Sequence, residues 1–352
     1  MNLLLFFAGL VALVVGAEAL VRGASRLALT LGISPLVVGL TIVAFGTSAP
    51  ELAVAVGASL EGRTDIAIGN VVGSNIFNVL FILGLSALIV PLAVHRQVIR
   101  QEVPIMIGAS LLLAVLALDA RIGAADGAML LALLLGYTVF LIVQSRREGP
   151  TDEADAEAPT SQWDRHWAVQ LLLMAVGLAL LVFGSQWLVT AATAFARALG
   201  VSELVIGLTI VAAGTSMPEV ATSVMAAVRG QRDIAVGNVV GSSTFNILGC
   251  LGAAALAAGS GGLPVAPSVL NFDLWVMVAV ALACLPVFFT GHEIARWEGL
   301  LFLGYYAAYT AYLILAAAAH DALPQFSAVM LGFVVPLTLV TLVVSTMHRA
   351  PR

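Results

Sequence analysis

Two groups of oxygen-bearing side chains interrupt otherwise apolar stretches of this sequence. In the first group Thr47 and Ser48 precede Glu51 by four and three residues, spacings that place side chains on one face of a helix. The pattern recurs around Glu219, and both groups continue into the next apolar stretch; their members are Thr47, Ser48, Glu51, Ser74 and Asn78, then Thr215, Ser216, Glu219, Ser242 and Asn246. Such hard oxygen ligands suit Ca²⁺, which takes about six to eight of them, and Na⁺ or protons can use the same atoms. The two groups therefore predict a cation site.

The two glutamates support this prediction more strongly than the hydroxyls do. Serine, threonine and asparagine in apolar helices often hydrogen-bond a neighbouring helix, so any single hydroxyl could serve packing alone. A buried carboxylate is costly unless it is neutralised, and an ionisable residue inside a membrane is a functional candidate by default. Glu51 and Glu219 are therefore the residues on which the predicted site depends.

Prolines should break the helices that carry the glutamates. Pro50 cannot donate a hydrogen bond to the carbonyl of Gly46, and Pro218 cannot donate one to Gly214. Irregular backbone at membrane depth is tolerated only where it is buried in protein or lines a water-filled cavity. The freed carbonyls should therefore add oxygens to the site.

The composition places the chain in a membrane. Of its 352 residues 61% are hydrophobic and only 10% are charged, with a mean hydropathy of +1.06, whereas soluble domains carry about 25% charged residues. The fold predicted is therefore an all-α integral membrane protein in the lipid bilayer. Its apolar runs predict eleven spans, near residues 2–21, 34–60, 66–91, 98–118, 123–143, 167–190, 202–228, 234–259, 272–290, 297–319 and 326–347.

Other features of the composition exclude several classes of partner and cofactor. The net charge of −5 argues against nucleic acid as a partner. The two cysteines, Cys250 and Cys284, lie in apolar runs and do not suggest a disulfide framework or a thiolate metal site. We expect no bound cofactor, and the sequence leaves the oligomeric state open.

An internal repeat organises these spans. Residues 32–78 align without a gap on residues 200–246 at a constant offset of 168, and 30 of the 47 positions are identical. Each copy lies in a half of five spans, so the second half should enter the membrane from the opposite side. Such inverted repeats are typical of secondary transporters, whose sites lie near the membrane midplane on interrupted helices.

The predicted organisation is a ten-helix inverted 5+5 repeat with one additional C-terminal helix. The halves are residues 1–143 and 167–319, joined by a short acidic linker at 144–166 and followed by a helix and tail at 320–352. We expect Glu18, Arg22 and Arg26 to close the first span at the membrane interface. Gly69 and Gly237, each followed by an asparagine, should permit close packing of helices.

Arginines set the predicted orientation. Twelve of the fifteen follow odd-numbered spans and three follow even-numbered ones. By the positive-inside rule this places the N-terminus outside, and the linker and C-terminus in the cytoplasm.

The charges of the two glutamates suggest an exchange mechanism. One Ca²⁺ would neutralise both carboxylates, as would two protons or two or more Na⁺ ions, and an empty, doubly charged pocket should be too costly to switch sides. Exchange of one ion set for another is therefore the leading hypothesis. An intramembrane hydrolase would require a nucleophile with a base or a metal with histidines, and no histidine falls in a predicted span near the repeats. A passive channel is a third interpretation.

The motifs resemble a known family of transporters. Two copies of Gly-Thr-Ser-x-Pro-Glu, each followed by Gly-Asn-Val-Val-Gly-Ser-x-x-Phe-Asn, are similar to the two alpha-repeats of the sodium/calcium exchanger family in the calcium/cation antiporter superfamily. The resemblance extends over residues 1–320 and implies a Ca²⁺/Na⁺ antiporter of a prokaryotic inner membrane, with both ions as substrates and no enzymatic activity. It also implies that the first and sixth helices slide to alternate access.

The resemblance further implies which atoms bind the ions. To the ten side chains named above it adds the backbone carbonyls of Ala44 and Ala212. Some members of the family carry an aspartate where this chain has Asn246, so the pocket here has two formal negative charges rather than three. The proton-coupled branch typically shows Gly-Asn-x-x-Glu in place of the motif found here, which favours Na⁺; Ca²⁺/H⁺ antiport through the same carboxylates is the alternative. The short linker leaves no room for large calcium-sensing domains.

Overall fold

The computed structural model of this protein describes residues 2–148, 166–201, 203–206, 209–210 and 212–348. Within these ranges the chain is almost entirely helical. The predicted linker is described only at its two ends, and the last four residues of the predicted tail also lie outside the described residues.

The membrane-spanning helices follow one another in chain order. They are α1 Asn2–Leu31, α2 Pro35–Thr47 plus Ala49–Leu60, α3 Thr64–Ile89, α4 Val98–Asp119, α5 Ala124–Glu148, α6 Trp167–Ala198, α7 (described as Glu203–Ile206, Ala212–Gly214 and Met217–Val228), α8 Arg232–Ala257, α9 Val269–Phe289, α10 Arg296–Ala317 and α11 Leu323–Val344.

The helices confirm the predicted all-α membrane fold. In the described part of the chain nine helices are long and apolar enough to cross a membrane, and the bent pair of α2 makes a tenth. Each lies at a predicted span, and the pieces of α7 fall within the remaining one.

The first and sixth helices are longer than predicted. Helix α1 continues to Leu31 and α6 to Ala198, because the residues after the predicted ends are still mostly apolar or small helix formers. Each helix ends before a glycine with positive φ, +65° at Gly32 and +78° at Gly200, a conformation that glycine adopts at helix C-termini without steric cost. The prediction that Arg26 closes the first span was therefore wrong: it lies inside α1 and is only 7% exposed.

Helices α3 and α8 form the centre of the molecule. In their most apolar stretches 72% and 89% of the residues are buried, against 39% for α1 and 17% for α5. These two central helices carry Ser74 and Asn78 in the first repeat and Ser242 and Asn246 in the second. The repeat therefore places its polar residues where the protein, and not lipid, surrounds them.

Short strands join the two halves at opposite ends of the bundle. Strand β1 (Leu92–Ala93) pairs with β4 (Glu293–Ile294), and β2 (Arg121–Ile122) pairs with β3 (Leu263–Pro264), both antiparallel. Each pair joins a loop of one half to a loop of the other. The arginine distribution assigns both loops of each pair to the same side of the membrane, and the pairing agrees with that assignment.

Glycines allow the closest contacts between helices of the two halves. A Cβ atom on Gly84 of α3 would lie 2.9 Å from the carbonyl oxygen of Gly299 on α10, and one on Gly127 of α5 would lie 2.7 Å from that of Gly252 on α8. Thus α3 packs on α10 as α8 packs on α5. This exchange of equivalent contacts is the packing expected of an inverted repeat.

Helices α1 and α6 lie against each other along most of their length. A Cβ atom on Gly177 of α6 would meet the Leu20 nitrogen at 2.7 Å and the Gly16 oxygen at 2.8 Å. The backbones therefore approach closely at the glycines, while Leu13 and Leu20 of α1 pack with Met174 and Leu181 of α6 in one buried cluster.

Helix α11 lies at the periphery. Only 6% of its most apolar stretch is buried. It is held to α10 by a hydrogen bond of 2.7 Å from the Tyr305 hydroxyl to Thr338 Oγ1. It has no counterpart in the repeat, so the symmetric core is complete without it.

Candidate cation site

Both glutamate-bearing helices break one turn before the glutamate. Helix α2 bends by 46° between Thr47 and Ala49, and Ser48 has φ −84° and ψ 8°. Ser216 has nearly the same backbone angles, φ −89° and ψ 8°. The prolines that follow each break explain it, because they remove a donor and crowd the preceding turn.

Serines at the two breaks bind the glutamates of the opposite repeat. Ser48 Oγ donates to Glu219 Oε1 over 3.0 Å, and Ser216 Oγ donates to Glu51 Oε1 over 2.7 Å. All four side chains are at most 1% exposed. The two bonds are equivalent under the repeat offset of 168 residues. They bring both carboxylates into one buried site between α2 and α7, as the pairing of the motifs predicted.

The remaining oxygen of each carboxylate lacks a partner in the described part of the chain. Glu51 Oε2 and Glu219 Oε2 are buried and accept no hydrogen bond there. The side-chain oxygen and nitrogen of Asn78 are likewise buried without a hydrogen-bond partner among the described residues. A buried polar atom without a partner is costly. The three oxygens among them, Glu51 Oε2, Glu219 Oε2 and Asn78 Oδ1, are therefore the atoms that a bound cation would satisfy.

The other predicted residues surround this pair. Ser74 Oγ lies 3.3 Å from Ser216 Oγ, and Ser242 Oγ lies 3.5 Å from Thr47 Oγ1. Asn246 is buried but donates to Asn75 Oδ1 over 3.2 Å, so the two repeat-equivalent asparagines differ: among the described residues the side chain of Asn246 has a hydrogen-bond partner and that of Asn78 has none.

The two predicted backbone ligands lie at equivalent places. The carbonyl of Ala44 accepts from the Ser48 nitrogen over 3.0 Å, and Ala212 begins the short helix Ala212–Gly214. Each precedes a break by one turn.

Two asparagines contact the threonines of the site, and the sequence interpretation missed them. Thr47 Oγ1 donates to Asn238 Oδ1 over 3.1 Å, and Thr215 Oγ1 lies 3.5 Å from Asn70 Oδ1. These asparagines occupy equivalent positions of the repeat. Their duplication in the repeat is a signal that could identify them, although the Gly-Asn motif also fits a role in helix packing.

The packing role expected of the neighbouring glycines holds in one half only. A Cβ atom on Gly237 would lie 3.0 Å from the Leu36 oxygen, whereas one on Gly69 would meet nothing within 4 Å. The expectation for Gly69 was therefore wrong.

A local widening of α3 and α8 begins at the site. Residues Asn78–Leu83 and Asn246–Leu251 adopt π-helical hydrogen bonding. Such turns inside α-helices are rare and frequent at functional sites. They start at the predicted amide ligands of both repeats, and no sequence pattern indicated them.

One of the two carbonyls freed by proline has an unexpected partner. Ser185 Oγ, on α6, donates a hydrogen bond of 2.5 Å to the carbonyl of Gly214. Pro218 leaves this carbonyl without its helical donor. Helix α6 therefore takes part in the second break, although its sequence suggested no polar role.

Comparison with known proteins identifies the family. A family model described as sodium/calcium exchanger protein matches residues 1–143 and 169–315. The chain belongs to the sodium/calcium exchanger family. Its members are transporters, and the chain is accordingly a multi-pass integral membrane protein that exchanges cations, with calcium among them.

Several relatives of this chain are bacterial or archaeal. The sodium/calcium exchanger MaX1 of Methanosarcina acetivorans is 33% identical over 342 residues, which cover 88% of this chain and 97% of MaX1. The inner membrane protein YrbG of Escherichia coli is 36% identical over 287 residues, 80% of this chain and 87% of YrbG. A solved structure of the sodium-calcium exchanger NCX_Mj superposes with a TM-score of 0.75 at 32% identity and covers 88% of this chain and 97% of NCX_Mj.

Proposed function

We propose that this protein exchanges Ca²⁺ for Na⁺ by alternating access at a buried site built on Glu51 and Glu219. The reciprocal bonds from Ser48 and Ser216 carry the proposal, because they bring the two carboxylates of an inverted repeat together. The remaining ligands are drawn from Thr47, Thr215, Ser74, Ser242, Asn78 and Asn246 and from the carbonyls of Ala44 and Ala212.

The charge of the site supports exchange over passive flow. With both carboxylates ionised and buried, the pocket carries two negative charges that the described surroundings do not neutralise by an ion pair. One Ca²⁺ or two or more Na⁺ ions restore neutrality, and the empty pocket is the costliest species to carry across the membrane. A site of this kind changes sides only when it is loaded, which couples the two ions.

Sodium is the counter-ion that the relatives favour. MaX1 and NCX_Mj are named as sodium–calcium exchangers, and NCX_Mj was soaked with Na⁺ and Sr²⁺. Two protons could neutralise the same carboxylates, so Ca²⁺/H⁺ exchange is the alternative. The flux assay below distinguishes it from Ca²⁺/Na⁺ exchange.

We infer that the transport unit consists of the two halves, residues 1–143 and 167–319, joined by the linker at 144–166. Helices α1 and α6 slide across the other helices of this unit, and the region 320–352 adds a peripheral helix and tail. The N-terminus faces outside, and the linker and C-terminus lie in the cytoplasm of a prokaryotic cell membrane.

Flux into proteoliposomes tests the coupling. Vesicles that hold the purified protein are loaded with Na⁺ and diluted into Na⁺-free medium containing ⁴⁵Ca²⁺, beside vesicles with a pH gradient only. We expect uptake with the Na⁺ gradient alone. Uptake driven by the pH gradient would replace Na⁺ with H⁺, and uptake without any counter-ion would indicate a channel.

Neutralising either glutamate tests the site itself. Glu51→Gln and Glu219→Gln keep the side-chain shape but remove the charge that balances Ca²⁺, so we expect each to abolish Ca²⁺ uptake without loss of folded protein in size-exclusion chromatography. Glu61→Gln is the matched control, because Glu61 is exposed and pairs with Arg63 in a loop. Uptake at the unchanged rate in Glu51→Gln would contradict the proposed site.

A further inference from the structure

A hydroxyl on α6 donates a hydrogen bond to a carbonyl that the break in α7 would otherwise leave without a donor. Proline at position 218 cannot donate to Gly214, and Ser185 Oγ supplies the missing hydrogen bond. Ser185 is 6% exposed, so water has little access to replace it. At membrane depth an unpaired carbonyl is unfavourable. The bond therefore stabilises the arrangement of α6 against α7 in which it is found.

The first repeat lacks this bond. Ala17 of α1 is the repeat equivalent of Ser185, and it has no donor. The equivalent carbonyl belongs to Gly46, where the neighbour from α6 is the apolar Leu178: a Cβ atom on Gly46 would meet its methyl carbons at 2.8 Å. The serine–glutamate and threonine–asparagine contacts of the site occur in both repeats, but in the described part of the chain the bond to the freed carbonyl occurs in the second repeat alone.

Helix α6 contacts the breaks of both α2 and α7, but it does so with different residues. Beside the Ser185 bond, a Cβ atom on Gly214 would lie 2.6 Å from Val189 Cγ2. The second break is thus held by a hydrogen bond and a close apolar contact, whereas at the first break α6 places the apolar side chain of Leu178 against Gly46. If α6 slides along its axis, other apolar side chains can replace those that contact the breaks. The Ser185 hydroxyl, however, would move away from the Gly214 carbonyl.

We propose that Ser185 is a positioning residue of the exchange cycle. Its bond to the Gly214 carbonyl stabilises the access state seen here, and α6 gives the bond up on the way to the opposite state. When the bond is broken, the Gly214 oxygen turns to water or to a cation in the site. Because the first repeat has no equivalent bond, the two access states differ in free energy although the core is nearly symmetric.

The apparent Ca²⁺ affinities on the two faces of the membrane depend on this difference in free energy between the access states. The apparent dissociation constant for Ca²⁺ on each side equals the intrinsic constant divided by the fraction of protein open to that side. The ratio of the two apparent constants therefore follows the equilibrium between the states. Hydrogen bonds between helices in membranes shift such equilibria by about three-fold to about ten-fold, and that is the change expected on removing the hydroxyl.

The experiment measures Ca²⁺ dependence on each face, in right-side-out and inside-out membrane vesicles. Ser185→Ala should change the ratio of the two apparent affinities by about three-fold to about ten-fold, and Ser185→Thr, which keeps the hydroxyl, should restore it. Thr190→Ala is the matched control on α6, since Thr190 donates to the carbonyl of Gln186 in its own helix over 2.7 Å. Its ratio should equal that of the unmodified protein.

Each outcome decides the proposal. A ratio in Ser185→Ala equal to that of Thr190→Ala overturns it, and so does an equal loss of affinity on both faces, because a purely structural role would act on both alike. If Ser185→Ala does not assemble, Ser185→Cys offers the same test with a weak donor of similar size. The inference rests on the proposed function: absent Ca²⁺ exchange in the unmodified protein rejects that function, whereas normal exchange with an unchanged ratio rejects Ser185 alone.

Discussion

Each glutamate of the site takes its hydrogen bond from a serine in the other repeat. Because Ser48 serves Glu219 and Ser216 serves Glu51, neither repeat could hold its own carboxylate in this geometry. The serine hydroxyls also have oxygen lone pairs left for an ion. These serines therefore orient the carboxylates, and in the proposed function they also supply ligands.

Removing either serine hydroxyl should weaken Ca²⁺ binding. Ser48→Ala and Ser216→Ala each leave one carboxylate oxygen without its donor, and we expect the apparent Ca²⁺ affinity in the ⁴⁵Ca²⁺ uptake assay to fall by about three-fold to about ten-fold. Ser110→Ala is the control, because Ser110 is buried in α4 and donates only to the carbonyl of Met106 one turn earlier. Equal affinities in all three variants would argue against the hydroxyls as part of the site.

Most residues of the proposed site stand out in the sequence, because polar side chains are rare in membrane helices and the repeat places them in equivalent pairs. Glu51 and Glu219 could be identified for that reason. Asn70 and Asn238 were missed because an asparagine next to a glycine has an ordinary explanation in helix packing. The bond from Ser185 could not have been foreseen, since it depends on how α6 crosses α7 and serines in apolar helices are common.

At the scale of the elements, the helix breaks and the glycine contacts divide the work. Pro50 and Pro218 determine where α2 and α7 break, so these breaks could be predicted from the sequence. The π turns at Asn78 and Asn246 depend on the packing of the central helices and leave no comparable trace in composition. The ends of α1 and α6 were misplaced by about ten residues or less, because charged residues such as Arg22 and Arg26 do not stop a helix by themselves.

Glycine at the crossing of α1 and α6 should tolerate no side chain. Gly177→Ala would place a Cβ atom 2.7 Å from the Leu20 nitrogen, so we expect it to destabilise the protein by about 1–3 kcal/mol and to slow exchange. Gly136→Ala in α5 is the control, since a Cβ atom there meets nothing within 4 Å. Thermal unfolding in detergent, followed with uptake, distinguishes the two; an unchanged melting temperature in Gly177→Ala would show that the helices separate at no cost.

The whole molecule is built from two halves that complete each other. The strand pairs β1–β4 and β2–β3 and the equivalent contacts of α3 with α10 and α8 with α5 all join one half to the other. Arginines then distinguish the two membrane faces of this nearly symmetric body.

The orientation can be read with single cysteines. Cys250 and Cys284 are fully buried, so the natural cysteines should not react with a membrane-impermeant maleimide. In intact cells we expect labelling of the Arg63→Cys variant, in the loop after α2, and none of Arg96→Cys, in the loop after α3, until the cells are opened. The reverse pattern would place the N-terminus in the cytoplasm.

The reciprocal serine–glutamate bonds also set an order in time for the making of this protein. Their partners are 171 and 165 residues apart in the chain, so Glu51 enters the membrane long before Ser216 has been synthesised. During that interval the carboxylate must be protonated, or must remain at a hydrated edge of the unfinished half. The site is thus one of the last parts of the molecule to form, and a ribosome stalled after α5 would leave a half in which Glu51 lacks the hydroxyl of Ser216.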